Sequence, residues 1–185
     1  MSDWIQPLKD LINRSTDQAM QQKENPPATA KPQQSRFKDN GDGTLTDSST
    51  GLIWLKNASC GIFFEGDRNG GRNTRSWSDA RIAAGKLADG FCGLKDGSKA
   101  GDWRLPDREG LIAIAQDISK KEPWPAGAAF SGLQPGYYWS STKGDLYPDY
   151  AFYVSLSYGI DSYAFQMNSF NVLPVRGHQK AQPQQ

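Results

Sequence analysis

From Tyr137 onward the chain alternates. In "YAFYVSLS" Phe152, Val154 and Leu156 take every second position and Tyr153, Ser155 and Ser157 the positions between, the period of a half-buried strand. "YYWSS", "GIDSYAFQM" and "NVLPVRG" read as further strands, with "SYG" as the hairpin turn between the middle two and Pro174 confining the last to an edge or a bulge. On this reading Tyr153 points away from the main core. Two stretches instead carry helical spacing. "SWSDARIAAGKLADG" sets Trp77, Ala80, Ala84 and Leu87 on one face, with Ser76 and Asp79 approximating a capping box and Gly90 as the stop. "DREGLIAIAQDISK" points Leu111, Ala115 and Ile118 inward behind an Asp107 cap.

Upstream, "FKDNGDGTLTDSSTGLIWLKN" (residues 37–57) reads as two successive hairpins. Asn-Gly and Asp-Gly supply positive φ for tight turns, and Trp54 of "LIWLKN" belongs in a core. A calcium loop is the competing reading. With Gly43 at loop position 6, Asn40 and Asp42 fit, but Lys38 and Ser49 then fall where carboxylates are required. "GDWRLP" is expected as a short strand. Between Cys60 and the first helix lies the glycine-rich "GIFFEGDRNGGRN" loop. Strands, two helices, then strands with long coil between is an α+β pattern.

The organisation expected is an amphipathic N-terminal helix in residues 1–22 with Trp4, Leu8, Leu11 and Ile12 on one face, and a Pro- and Gln-rich linker at 23–35. A domain at 36–178 and a tail at 179–185 follow. The helix docks on its own domain, docks on another chain, or forms a weakly ordered tail.

Composition removes several function classes. With 21 basic and 20 acidic residues there is no electrostatic footprint for nucleic acid or anionic membrane. No apolar run approaches the roughly 20 residues that span a bilayer, and the N-terminus has no signal-peptide pattern, so the chain as written is expected in the cytoplasm. One histidine and two cysteines cannot supply the usual metal or nucleophile sets, so neither cofactor nor enzyme activity is expected. Cys60 and Cys92 are either two buried thiols or a disulfide.

All seven tyrosines fall between Tyr137 and Tyr163, interleaved with Ser, Asp, Gly and Asn, a mixture that resembles antibody paratopes. The alternative is that tyrosine simply favours half-buried sheet positions. The candidate contacts are Tyr147, Asp149, Tyr150, Tyr153, Tyr158, Asp161, Tyr163 and Asn168, with the loop at 61–73 as the fallback site. Trp54, Trp77, Trp103, Arg104, Trp139 and Arg176 are assigned structural roles, the two arginines cross-linking loops.

"FKDNGDGTLTDSSTGLIWLKN", "SWSDA", "GFCGLKDGSKAGDWRLPDREGL", "YYWSST", "AFYVSLSYG" and "VLPVRG" follow one another as in the Lcl C-terminal domain family, which the chain resembles over residues 36–177. That family is named for the C-terminal domain of a collagen-like bacterial adhesin. The resemblance implies a C-type lectin-like fold, related to the formylglycine-generating enzyme group, and a ligand-recognition module of the envelope or cell surface. It also implies glycan or protein ligands, a bridged Cys60 and Cys92, and kinship with retroelement variable proteins, whose diversified residues lie in the last third. Two departures narrow it. The Glu-Pro-Asn and Gln-Pro-Asp triplets of calcium-dependent lectins have no counterpart beyond "YPD" and "WSS". The late cysteine pair of the oxidase is absent after Cys92. Calcium-mediated sugar binding and oxidase chemistry are therefore not implied. A structural subunit that docks a partner through its N-terminal helix is the remaining alternative.

Overall fold

The computed structural model describes residues 36–60, 73–118, 129–144 and 147–177. The N-terminal helix, the linker, the tail and most of the glycine-rich loop expected from sequence lie outside them.

The two hairpins form as expected. Strands β1 (Phe37–Asp39), β2 (Thr44–Asp47) and β3 (Ile53–Leu55) pair antiparallel in order, and β9 (Val175–Arg176) closes a four-stranded sheet against β3. In the first turn Gly41 and Gly43 take φ of +77° and +86°. Asp42 accepts from the Thr44 amide and hydroxyl, and Asn40 bonds Thr44 and Thr46 across the hairpin. The Asp and Asn oxygens are thus spent on the turn itself. A Cβ on Gly43 would lie 2.4 Å from the Gly93 carbonyl oxygen, so only glycine lets the two loops touch.

A second sheet has the order β4 (Thr74–Arg75), β8 (Phe170–Asn171), β5 (Tyr137–Lys143), β6 (Tyr150–Ser155), β7 (Ile160–Phe165). All its pairs are antiparallel except β5 with β8. The "NVLPVRG" run thus divides between the sheets, β8 in one and β9 in the other. Pro174, which can donate no ladder bond, sits at the crossing and uses its carbonyl to accept from the Leu55 amide.

Helix α1 (Trp77–Gly85) starts as the capping pattern predicts, Ser76 Oγ accepting from the Asp79 amide and donating to its carboxylate. It stops five residues before the expected Gly90. The Lys86 and Leu87 amides tighten onto Ala83 and Ala84, and the Gly101 amide takes the Gly85 carbonyl that a further turn would have used. Leu87 reaches the core from the following loop. In α2 (Arg108–Ile118) Asp107 caps the Gly110 amide at 2.7 Å. "GDWRLP" contributes only a bridge, Arg104 exchanging both backbone bonds with Val175 at 2.9 Å.

The described residues form two cores, one on each side of the five-stranded sheet. Tyr138, Val154 and Leu156 face the first with Trp54, Leu111, Ile114 and Ala115; Trp139 and Ala151 face the second with Trp77, Trp103, Leu87 and Leu94. Tyr153 points away from the first core, as the alternation predicts, and packs against the second, because β6 is covered on both faces here. The buried indoles of Trp77, Trp103 and Trp139 donate to the Ser140 carbonyl, the Ser98 hydroxyl and the Arg75 carbonyl. Burial pushes the Tyr138 phenol well above its ordinary value, and its hydroxyl donates to the Gln134 carbonyl. Arg104 donates to the Leu105 and Gly177 carbonyls, and Arg176 pairs with buried Asp96 at 3.1 Å across the Trp103 ring.

Cys60 and Cys92 are joined by a disulfide with a Cα–Cα distance of 5.3 Å, tying the end of β3 to the loop after α1. On loop entropy the bridge contributes about 3 to 4 kcal/mol. Replacing both cysteines by serine should therefore lower the free energy of unfolding by ~2–5 kcal/mol in denaturant titration. An unchanged midpoint would mean the surrounding core holds the loop unaided.

Asp47 is the charged group most deeply committed to the fold. Its side chain is fully buried and accepts from Arg36 at 2.9 and 2.6 Å, from the Ser49 amide and hydroxyl, and from Thr50. Arg36 also donates to the Ala113 carbonyl of α2. Burial pushes the carboxyl up, but the hydrogen bonds from Arg36, Ser49 and Thr50 outweigh it and hold Asp47 at about 2. A depressed folded value gives stability present above the unfolded value of about 3.9 and lost as pH falls toward 2. Thermal unfolding from pH 5 to pH 2 should show this acid limb, worth ~2 kcal/mol. Asp47→Asn should lower stability at neutral pH and flatten that limb.

Candidate functional site

The sheet outgrows its cover. Register places Tyr150, Phe152 and Val154 of β6 beside Phe165, Tyr163 and Asp161 of β7, all on the side that carries α2. Val154 is buried beneath the helix, and Phe152 lies under the Arg108 guanidinium at the helix start, 4.8 Å from ring centroid to Cζ. Beyond Arg108 the helix has ended and the remaining rings meet solvent. Tyr147 stacks on Tyr163 at 6.0 Å between centroids with an interplanar angle of 22°, and Tyr150 touches Tyr147, Tyr163 and Phe165 at 5.6 to 5.8 Å. Tyr147, Tyr163 and Phe165 are 52 %, 50 % and 45 % exposed. Together they form an aromatic ledge.

The ledge is held in shape by Gln166, the residue after β7. Its amide donates to the Asp149 carbonyl at 2.9 Å, and its side-chain nitrogen donates to the Pro148 and Tyr150 carbonyls at 2.8 and 3.3 Å. The Tyr147–Tyr150 turn closes with a backbone bond from Tyr150 to Tyr147. Arg108 Nε donates to Asp161 Oδ2 at 2.6 Å along the ledge border, and that hydrogen bond raises Arg108 above its already high ordinary value. The rings are thus presented on a fixed backbone, with an exposed carboxylate at Asp149 and an ion pair beside them.

Of the eight residues expected at a binding surface, the fold brings Tyr147, Asp149, Tyr150, Asp161 and Tyr163 into one neighbourhood. Asn168 is exposed in the turn after β7, its amide donating to the Phe165 carbonyl. Tyr153 sits on the opposite face of the sheet, its ring 5.0 Å from Tyr137 and 4.8 Å from Phe170. Tyr158 caps the β6–β7 hairpin, 74 % exposed and away from the other rings. Sequence reasoning did not assign Phe165, Phe152, Arg108 or Gln166 to the surface. The period-2 pattern puts Phe165 on one face with Tyr163 but does not say which way that face looks, and the Arg108 contact depends on where α2 begins over the sheet.

A cleft of about 600 Å³ with a mixed polar and apolar lining opens on the other side, between β4, β8 and the turn before β5, lined by Asn73, Gln134, Tyr137, Phe170 and Asn171. Among the described residues no group of three or more His, Cys, Asp or Glu side chains could hold a metal ion. No helix among them is long and apolar enough to cross a membrane.

Compared with curated proteins, the chain has no significant match. The family model of the Lcl C-terminal domain matches residues 43–176, from the glycine that closes the first turn to the end of β9. Every strand except β1, both helices and the aromatic ledge fall inside that span, and the chain belongs to the Lcl C-terminal domain family.

Proposed function

We propose that this chain is a non-enzymatic recognition domain that binds a glycan or protein ligand on the ledge formed by Tyr147, Tyr150, Tyr163 and Phe165. The observation that carries the reading is the exposure of Tyr147, Tyr163 and Phe165 in spite of their packing on one another and on half-buried Tyr150. Rigid aromatic faces offer contact area at small entropic cost, and the Tyr hydroxyls with Asp149 supply hydrogen bonds around them. A sugar fits this arrangement with its C–H face on the rings and its hydroxyls toward Asp149. The disulfide suits an oxidising compartment and so supports a location in the envelope or outside the cell. The family's likeness to C-type lectin-like domains agrees with a binding rather than a catalytic role.

A glycan array and a protein pull-down with the full chain identify the ligand. Tyr147→Ala and Tyr150→Ala should each weaken its binding by about 2 kcal/mol or more, the usual cost of losing an aromatic anchor. The half-exposed Tyr147 should leave the melting temperature nearly unchanged. Wild-type affinity in both variants would move the site off the ledge, toward the cleft around Asn73 and Tyr137.

A further inference from the structure

Among the described residues the strand that carries the ledge is also an open edge: β7 ends the five-stranded sheet, with β6 as its strand neighbour. The Gln166 amide donates to the Asp149 carbonyl, and these two residues extend the Tyr150–Phe165 register by one step. Hydrogen-bonded and non-hydrogen-bonded pairs alternate in an antiparallel ladder. Ala164, Ser162 and Ile160 therefore turn their peptide groups to β6, while Phe165, Tyr163 and Asp161 turn theirs to the free side. The Phe165 carbonyl accepts from Asn168. The outward groups of Asp161 and Tyr163, and the Phe165 amide, have no partner among the described residues.

Natural edges are guarded by lysine, proline, bulges or brevity. Ile160–Phe165 has none of these: six residues, in unbroken register with β6, with Ile160 60 % exposed and Tyr163 half exposed. Its single charge, Asp161, is neutralised by Arg108 of the same chain. Such an edge accepts an extended strand.

We infer that β7 pairs antiparallel with β7 of a second copy of this chain about a two-fold axis at Tyr163. The edge is complementary to itself in that register. Tyr163 meets Tyr163, Asp161 meets Phe165, and each outward N–H faces a C=O. Ser162 meets Ala164 on the face away from the ledge, two small residues that leave the junction unobstructed. Because Asp161 is already paired, the copies approach without like-charge repulsion. The axis runs perpendicular to the sheet, so the two ledges lie side by side on one face of a continuous sheet. The inference goes beyond ligand binding and holds whatever the ledge binds.

Sedimentation velocity of the full chain over a dilution series tests it. The wild type should show a dimer that dissociates on dilution. Ser162→Lys sets two like charges diagonally across the junction, about 7–8 Å apart, on the face away from the ledge, and should raise the dimer dissociation constant at least ~10-fold. Ile160→Lys, at an exposed strand end, should act in the same direction, and circular dichroism reports whether each variant keeps its fold. A wild type that is monomeric at every concentration, or a dimer unmoved by both variants, overturns the inference.

Discussion

Tyr138 and Trp139 are neighbours in sequence and lie in different cores, and this one constraint organises the molecule. Successive residues of a strand point to opposite faces. If both are large and both must be buried, the sheet needs cover on each side. α2 and the small sheet supply one cover; α1 and the disulfide-tied loop of residues 87–105 supply the other. Leu55 beside Trp54, and Val172 beside Leu173, repeat the same division. The α+β arrangement is the means by which β5 comes to be buried on both faces.

Distance from β5 then explains where the surface can be functional. β6 is still covered: Val154 is fully buried, and Tyr153 and Phe152 are half-buried. β7 is one strand further out and meets the start of α2 at Asp161, while Tyr163 and Phe165 emerge into solvent with Tyr147 leaning on them. The ledge is the place where a double-layered core thins to a single layer. Arg108, at the first turn of α2, marks that boundary by lying over Phe152 on one side and bonding Asp161 on the other.

Much of this architecture is legible in the chain because local rules and the tertiary structure agree. The DNGDG turn forms because Gly41 and Gly43 need positive φ, and α1 starts at Ser76 because the cap is written there. The failures come where a partner distant in sequence decides. α1 ends at Gly85 because Gly101 captures its carbonyl, and nothing near Gly90 announces that. Tyr153 is alternating in sequence yet covered in space, because period 2 says which face a residue takes and not what lies on that face. The surface was legible as a cluster of tyrosines but not as a geometry. The register of β6 against β7 gathers Tyr147, Tyr150 and Tyr163 and sends Tyr153 and Tyr158 elsewhere.

The contact between Gly43 and Gly93 has a mechanical consequence. Gly43 passes its carbonyl to the Lys56 amide, Asp42 passes its own to Lys95, and Cys92 next door is bonded to Cys60. The first turn, the end of β3 and the loop after α1 are thus clamped at one point by two backbone bonds, one covalent bond and a gap too narrow for a methyl group. Such a clamp moves as a unit. A displacement of the first turn is therefore handed on to the end of β3 and to the loop after α1 together.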